Sequence, residues 1–210
     1  MPVAEYASEV NIVEQVSVLL WYDRRRQEDQ MEPGTTLEQV IQFLLETPLF
    51  QDLDASELAE VVQIMQIQRF RPDQAIFKEG EEGNAWYVIF EGEARVDKRN
   101  PFTPSREVAL LGPHSCFGEM AILDESARSA TITAQESITA FRFPAIQFQM
   151  LLEEGNLAAY KLIHAMAKTL CDRQRRLNQQ LSDLIEESDT DSIGLRSRVG
   201  PLLEESSISE

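Results

Sequence analysis

Cysteine and histidine are nearly missing from this chain: two of each in 210 residues. Cys116 and Cys171 are too few for a disulfide scaffold or for a four-thiolate metal or iron–sulfur site. Such sparse use of thiols points to a reducing compartment, and a cytoplasmic location is expected. His114 and His164 cannot supply the three imidazoles of a metal-dependent β-roll enzyme, so no metal is expected. Basic residues are also scarce. The 19 Lys and Arg stand against 36 Asp and Glu, for a net charge of −17, and a surface that negative repels nucleic acid and anionic lipid. Long hydrophobic runs are absent as well: nowhere do about eighteen apolar residues follow one another, as a bilayer span requires. At the start of the chain Glu5, Glu9 and Glu14 lie where a signal peptide is basic.

The residues that are present describe a globular chain with appendages. Hydrophobic residues make up 43% and charged residues 26%, enough to build a core. Ile12, Val13, Val16, Leu19 and Leu20 recur at helical intervals, so a helix is expected over about 10–22. Arg24, Arg25 and Arg26 would be its solvated end. After Pro33-Gly34, overlapping capping boxes from Thr35 to Glu38 and from Thr36 to Gln39 precede Val40, Ile41, Leu44 and Leu45, a second helix. Pro48 stops it, and Asp54 or Ser56 can cap a third that carries Leu58, Val61, Val62 and Met65. The first seventy or so residues thus read as helical.

Past Phe70 the period changes from that of helices to that of strands. Short β-branched and aromatic segments at Ile76-Phe77, Trp86–Phe90, Ala94–Val96, Val108–Leu111, Ala130–Thr133 and Thr139–Phe143 are separated by turn residues such as Gly80, Gly83 and Gly92. That beat predicts an antiparallel β-roll, a jelly-roll-like double-stranded β-helix, in an α+β chain with N-terminal helices. From Pro144 helical spacing returns and continues through Leu162, Met166, Leu170, Leu177, Leu181 and Ile185, a long C-terminal helix from about Asn156 to Glu187. Beyond it, Ser, Glu and Asp predominate, the composition of a disordered tail. The expected divisions are a helical extension over 1–48, a central domain with its long helix over 49–187, and an acidic tail over 188–210.

One segment carries chemistry. Phe117 to Leu123 lacks strand alternation and reads as a single helical turn inside the β region, opened by Gly118. Amides without helical partners at such a turn, together with its positive dipole end, favour an anion. Arg128, nine positions after Glu119 in the chain, can return across a loop with a two-pronged donor suited to phosphate oxygens, while Glu119 can accept from a sugar hydroxyl. As a mere surface ion pair the two would be worth only about 0–1 kcal/mol, so a structural role explains their setting poorly. Gly80, Gly83 and Gly92 are turn scaffold on this reading. His114-Ser115-Cys116 does not read as a nucleophilic site, because adjacent strand residues point to opposite faces.

The segment resembles the phosphate-binding cassette of the cyclic nucleotide-binding domain family, which includes bacterial catabolite activators, protein kinase A regulatory subunits and nucleotide-gated channels. Phe117-Gly118-Glu119-Met120-Ala121-Ile122-Leu123, then Asp124-Glu125-Ser126, then Ala127-Arg128-Ser129-Ala130-Thr131 keep its spacing without an insertion. Ala127 replaces the usual proline. The likeness extends over about 49–177. It implies a cyclic nucleotide held by Gly118, Glu119, Met120, Ala121, Arg128, Ser129 and Ala130, with Arg173 and Gln174 on the long helix crossing the base. The resemblance implies cAMP as ligand, with cGMP or cyclic di-GMP as alternatives, because Ser129 stands between the alanine and threonine that separate cAMP- from cGMP-preferring relatives. Transcriptional members carry a winged helix-turn-helix after the long helix, and the acidic residues beyond Glu187 do not read as one. No kinase or cyclase signature is present. A non-enzymatic sensor is expected, acting through an unknown protein partner rather than DNA, and as a homodimer. A domain that has lost its ligand and serves only as an interaction module is the remaining alternative.

Overall fold

A computed structural model describes residues 36–98 and 106–204. The expected helix over 10–22 and the Arg24–Arg26 run lie outside these residues. Helix α1 (Leu37–Glu46) opens on Thr36, whose hydroxyl accepts from the Gln39 N–H while the Gln39 side chain accepts from the Thr36 N–H. After a single 3-10 turn at Pro48–Phe50, α2 (Ala55–Gln63) opens on Asp54. Asp54, not Ser56, makes the cap, in a reciprocal box with Glu57 at 2.9 and 2.8 Å. Both boxes satisfy amides that a helix start leaves without partners.

Eight strands follow: β1 (Gln66–Phe70), β2 (Ala75–Phe77), β3 (Ala85–Glu91), β4 (Ala94–Lys98), β5 (Arg106–Leu111), β6 (Cys116–Phe117), β7 (Thr131–Ala134) and β8 (Ile138–Pro144). The one-turn α3 (Met120–Leu123) sits between β6 and β7, and α4 (Ala145–Glu153) and α5 (Leu157–Glu204) close the described chain. The strands form two antiparallel sheets of four, ordered β1-β8-β3-β6 and β2-β7-β4-β5, which is the expected β-roll. Strand β1 corrects the all-helical reading of the first seventy residues. Its Gln66, Gln68 and Arg69 hide strand alternation, and pairing with β8 supplies what the sequence pattern lacks.

Alternation along β3 explains two cores. Trp86 and Val88 point to a cluster with Phe50, Leu58, Phe143 and Phe148, whereas Tyr87 and Ile89 point into the roll beside Phe117 and Ile138. Val40, Ile41 and Leu44 of α1 belong to the Trp86 cluster, so the helix expected in the N-terminal extension packs against the same core as the strands. The chain divides into two compact units between Met166 and Ala167, within α5. That helix runs to Glu204, past the point at which composition placed a disordered tail. Glu, Leu and Arg are strong helix formers, and the Ser- and Asp-rich composition read as disorder does not by itself end a helix.

Candidate functional site

Gly118 leaves β6 with φ +78°, a left-handed conformation that glycine adopts without strain. A β-carbon there would stand 2.8 Å from Arg128 Nη1 and 3.3 Å from the Phe77 ring. The turn expected at this point is α3, closed by the Ile122 and Leu123 amides donating to the Glu119 carbonyl at 3.0 Å. Amides at its start have no acceptor inside so short a turn. Glu119 and Arg128 are 4% and 3% exposed. These two charged side chains are therefore interior groups, although both are of types that stay at surfaces unless partnered.

The loop between β2 and β3 holds the arginine from behind. The Arg128 N–H donates to the Glu81 carbonyl at 2.8 Å, and Gly80 N–H donates to the Arg128 carbonyl at 2.9 Å. Gly83 presses on Ala121, where an added methyl would collide with the alanine's own. The guanidinium lies 4.0 Å above the Phe77 ring, a cation–π contact. Its Nη1 donates to the Gly118 carbonyl at 2.8 Å and its Nη2 to the Ala85 carbonyl at 2.7 Å. The fork expected to face a ligand is thus partly turned onto the backbone. A guanidinium has five N–H donors, and these bonds spend two of them; the Nε–H meets no acceptor. Burial lowers the guanidinium pKa from its ordinary value. The Tyr87, Glu119 and Glu81 oxygens oppose that effect, and Arg142 adds to it.

The remaining cassette positions are more open. Met120 is exposed, Ala121 is buried, Ser129 is exposed and Ala130 half-buried. The Ser129 hydroxyl lies 3.7 Å from the Met120 sulfur, and its carbonyl accepts from the Lys98 ammonium, which also pairs with Glu79 at 2.8 Å. Arg173 and Gln174 fall on α5 in the second compact unit. His114 is structural. Its ring stacks on Phe43 at 4.0 Å, and its Nδ1 lies 2.8 Å from the hydroxyl of the fully buried Thr47. Since that hydroxyl donates to the Phe43 carbonyl, the imidazole nitrogen is the donor to Thr47. Sequence reasoning missed Phe77 and the Ala85 carbonyl as partners of Arg128. No local pattern links Arg128 to Ala85, 43 residues away.

Beneath Arg128 lies a half-open cavity of about 430 Å³. Strand alternation puts Gln66 and Gln68 of β1 and Arg142 of β8 on the roll's inner side, with Phe70, Ile138 and Ala140. All three polar residues line the cavity, together with Tyr87, Phe77 and the exposed Glu81 and Glu82. Among the cassette residues only Arg128 borders it. Among the described residues no cluster of metal-ligating side chains occurs, and no helix is long and apolar enough to cross a membrane.

The β-roll thus brings a glycine turn, one helical turn, a buried carboxylate and a buried arginine to one edge. Residues 67–155 match the family model of the cyclic nucleotide-binding domain. Over 144 residues the chain is 26% identical to a CRP-like cAMP-activated global transcriptional regulator of Mycobacterium tuberculosis, a match covering 69% of this chain and 62% of that relative. The catabolite activator protein of Thermus thermophilus superposes with a TM-score of 0.58 at 29% identity, over 65% of this chain and 62% of that one. The regulatory subunit of a cAMP-independent protein kinase A from Trypanosoma brucei superposes with a TM-score of 0.55 at 26% identity, over 63% and 46% of the two chains. The chain therefore spans less than two thirds of these relatives' lengths.

Proposed function

We propose that the chain is a cyclic nucleotide sensor that binds cAMP at the cassette and signals through contact with another protein. The observation that carries this reading is Arg128, buried beside the Gly118 turn, whose Nη1 and Nη2 each carry a second N–H beyond the bonds to Gly118 and Ala85. In this reading the cyclic phosphate takes the amides of Gly118 to Ala121 and the arginine, while Glu119 accepts from the ribose hydroxyl. Ser129 and Ala130 line the phosphate, and Arg173 and Gln174 cover the base when the long helix closes. Binding and regulation, not catalysis, are the whole activity, and the output passes to a protein because a −17 chain gains nothing from DNA phosphates. The Trypanosoma brucei relative is described as cAMP-independent, which keeps cGMP and cyclic di-GMP in the comparison.

Calorimetry of the chain against cAMP, cGMP and cyclic di-GMP tests the reading. The expected result is saturable binding of cAMP, tighter than of the other two. Arg128→Ala should lose about 2–5 kcal/mol of that affinity, because a phosphate would be left without its charged partner. Undiminished binding by Arg128→Ala sinks the cassette assignment, and binding of none of the three nucleotides favours a pure interaction module.

A further inference from the structure

We infer that the cavity beneath Arg128 is a second ligand site, separate from the cassette, for a free α-amino acid with an apolar side chain. The inference starts from polar residues where strand parity calls for core. Gln66, Gln68 and Arg142 share the inner side of the roll with Phe70 and Ile138, yet they face an open volume of about 430 Å³, within the range of small-molecule sites. Two lining groups have unmet bonding. Arg128 Nε–H is a buried donor without an acceptor, and Gln68 Oε1 is a buried acceptor without a donor. Buried polar atoms left in this state call for a partner.

The charges narrow the class of ligand. Arg128 and Arg142 face Glu81 and Glu82 in the same lining, so the lining is neutral overall but holds both signs. Its complement is a small molecule that also carries both signs. A carboxylate can accept from Arg128 Nε–H and neutralise the like-charged Arg142, while an ammonium can donate to Gln68 Oε1 and face the glutamates. The half-buried Ile76 and Phe77 offer apolar surface to a side chain. A plain anion would leave Gln68 unmet, and a plain amine would leave Arg128 unmet.

The test is an NMR titration of the arginine Nε–H signals of the ¹⁵N-labelled full chain with L-leucine and L-phenylalanine, without nucleotide. At least one of the two should shift the Arg128 signal saturably by about 10 mM, ten times the dissociation constant of a millimolar site. The methyl ester of the same amino acid, which lacks the carboxylate, should bind about tenfold more weakly or worse. Arg142→Gln and Gln68→Leu should weaken amino-acid binding by a similar factor yet leave nucleotide affinity within about threefold, since neither borders the cassette. An immobile Arg128 signal, or an ester that binds as tightly as the free acid, overturns the proposal using the wild-type chain alone. Failure of nucleotide to bind would strike only the function proposed above, because the amino-acid titration contains none.

Discussion

Arg128 illustrates how one residue can be identified from sequence while its surroundings are not. Its spacing from Glu119 and the Gly118 turn marks it in the chain, but the ring beneath it and the carbonyls holding it come from β2 and from the start of β3. The loop leading to it contains a second legible detail. The Asp124 carboxylate accepts from the Ser126 hydroxyl at 2.6 Å and from the Ser126 N–H at 3.1 Å. The hydroxyl bond, then the amide bond, lowers the Asp124 pKa below its ordinary 3.8. A depressed carboxyl contributes order that is present above 3.8 and lost as the pH falls through the lowered value. Carboxyl NMR should therefore find Asp124 titrating below 3.8, and Ser126→Ala should raise its midpoint toward that value. An unchanged midpoint in Ser126→Ala would show that the turn does not set it.

Among the elements, helix starts were legible and the two least strand-like strands were not. Thr36-x-x-Gln39 and Asp54-x-x-Glu57 form local reciprocal bonds, so their geometry follows from four consecutive residues. β1 and β6 required partners: Gln66–Phe70 is a strand because β8 pairs with it, and Cys116-Phe117 because β3 does. The box at α2 also reaches the start of α5, where the Lys161 ammonium pairs with Glu57 at 2.7 Å. Asp54→Ala should cost about 1 kcal/mol, seen as a lower urea midpoint at unchanged slope, whereas Ser56→Ala should stay within about 0.5 kcal/mol. Equal effects of the two substitutions would refute the assignment of the cap.

At the scale of the molecule, the question is what covers the long helix. Leu177, Leu181 and Ile185, spaced by four along α5, are 54%, 58% and 62% exposed. A stripe of this kind on a helix is what a second helix buries. The homodimer proposed for this chain places a second copy there. Sedimentation at tens of micromolar should show a dimer, and Leu181→Glu should shift it to monomer, since a buried unpaired charge outweighs what one leucine contributes. A monomer in the wild-type chain, with and without nucleotide, would count against the seam.

The sequence alone determined the class of fold, the places where the first helices start and the spacing of the cassette motif. Periodicity, capping chemistry and the Gly118-to-Thr131 spacing are local, and local physics reads them residue by residue. Tertiary structure decided the rest, because pairing across the roll depends on residues far apart in the chain. It merged α1 into the core around Trp86 and placed the compact-unit division inside α5. It turned part of the Arg128 fork onto Gly118 and Ala85. It also gathered Gln66, Gln68 and Arg142, polar residues that look like surface in the sequence, around one inward cavity, because pairing of β1 with β8 sets the side each residue faces.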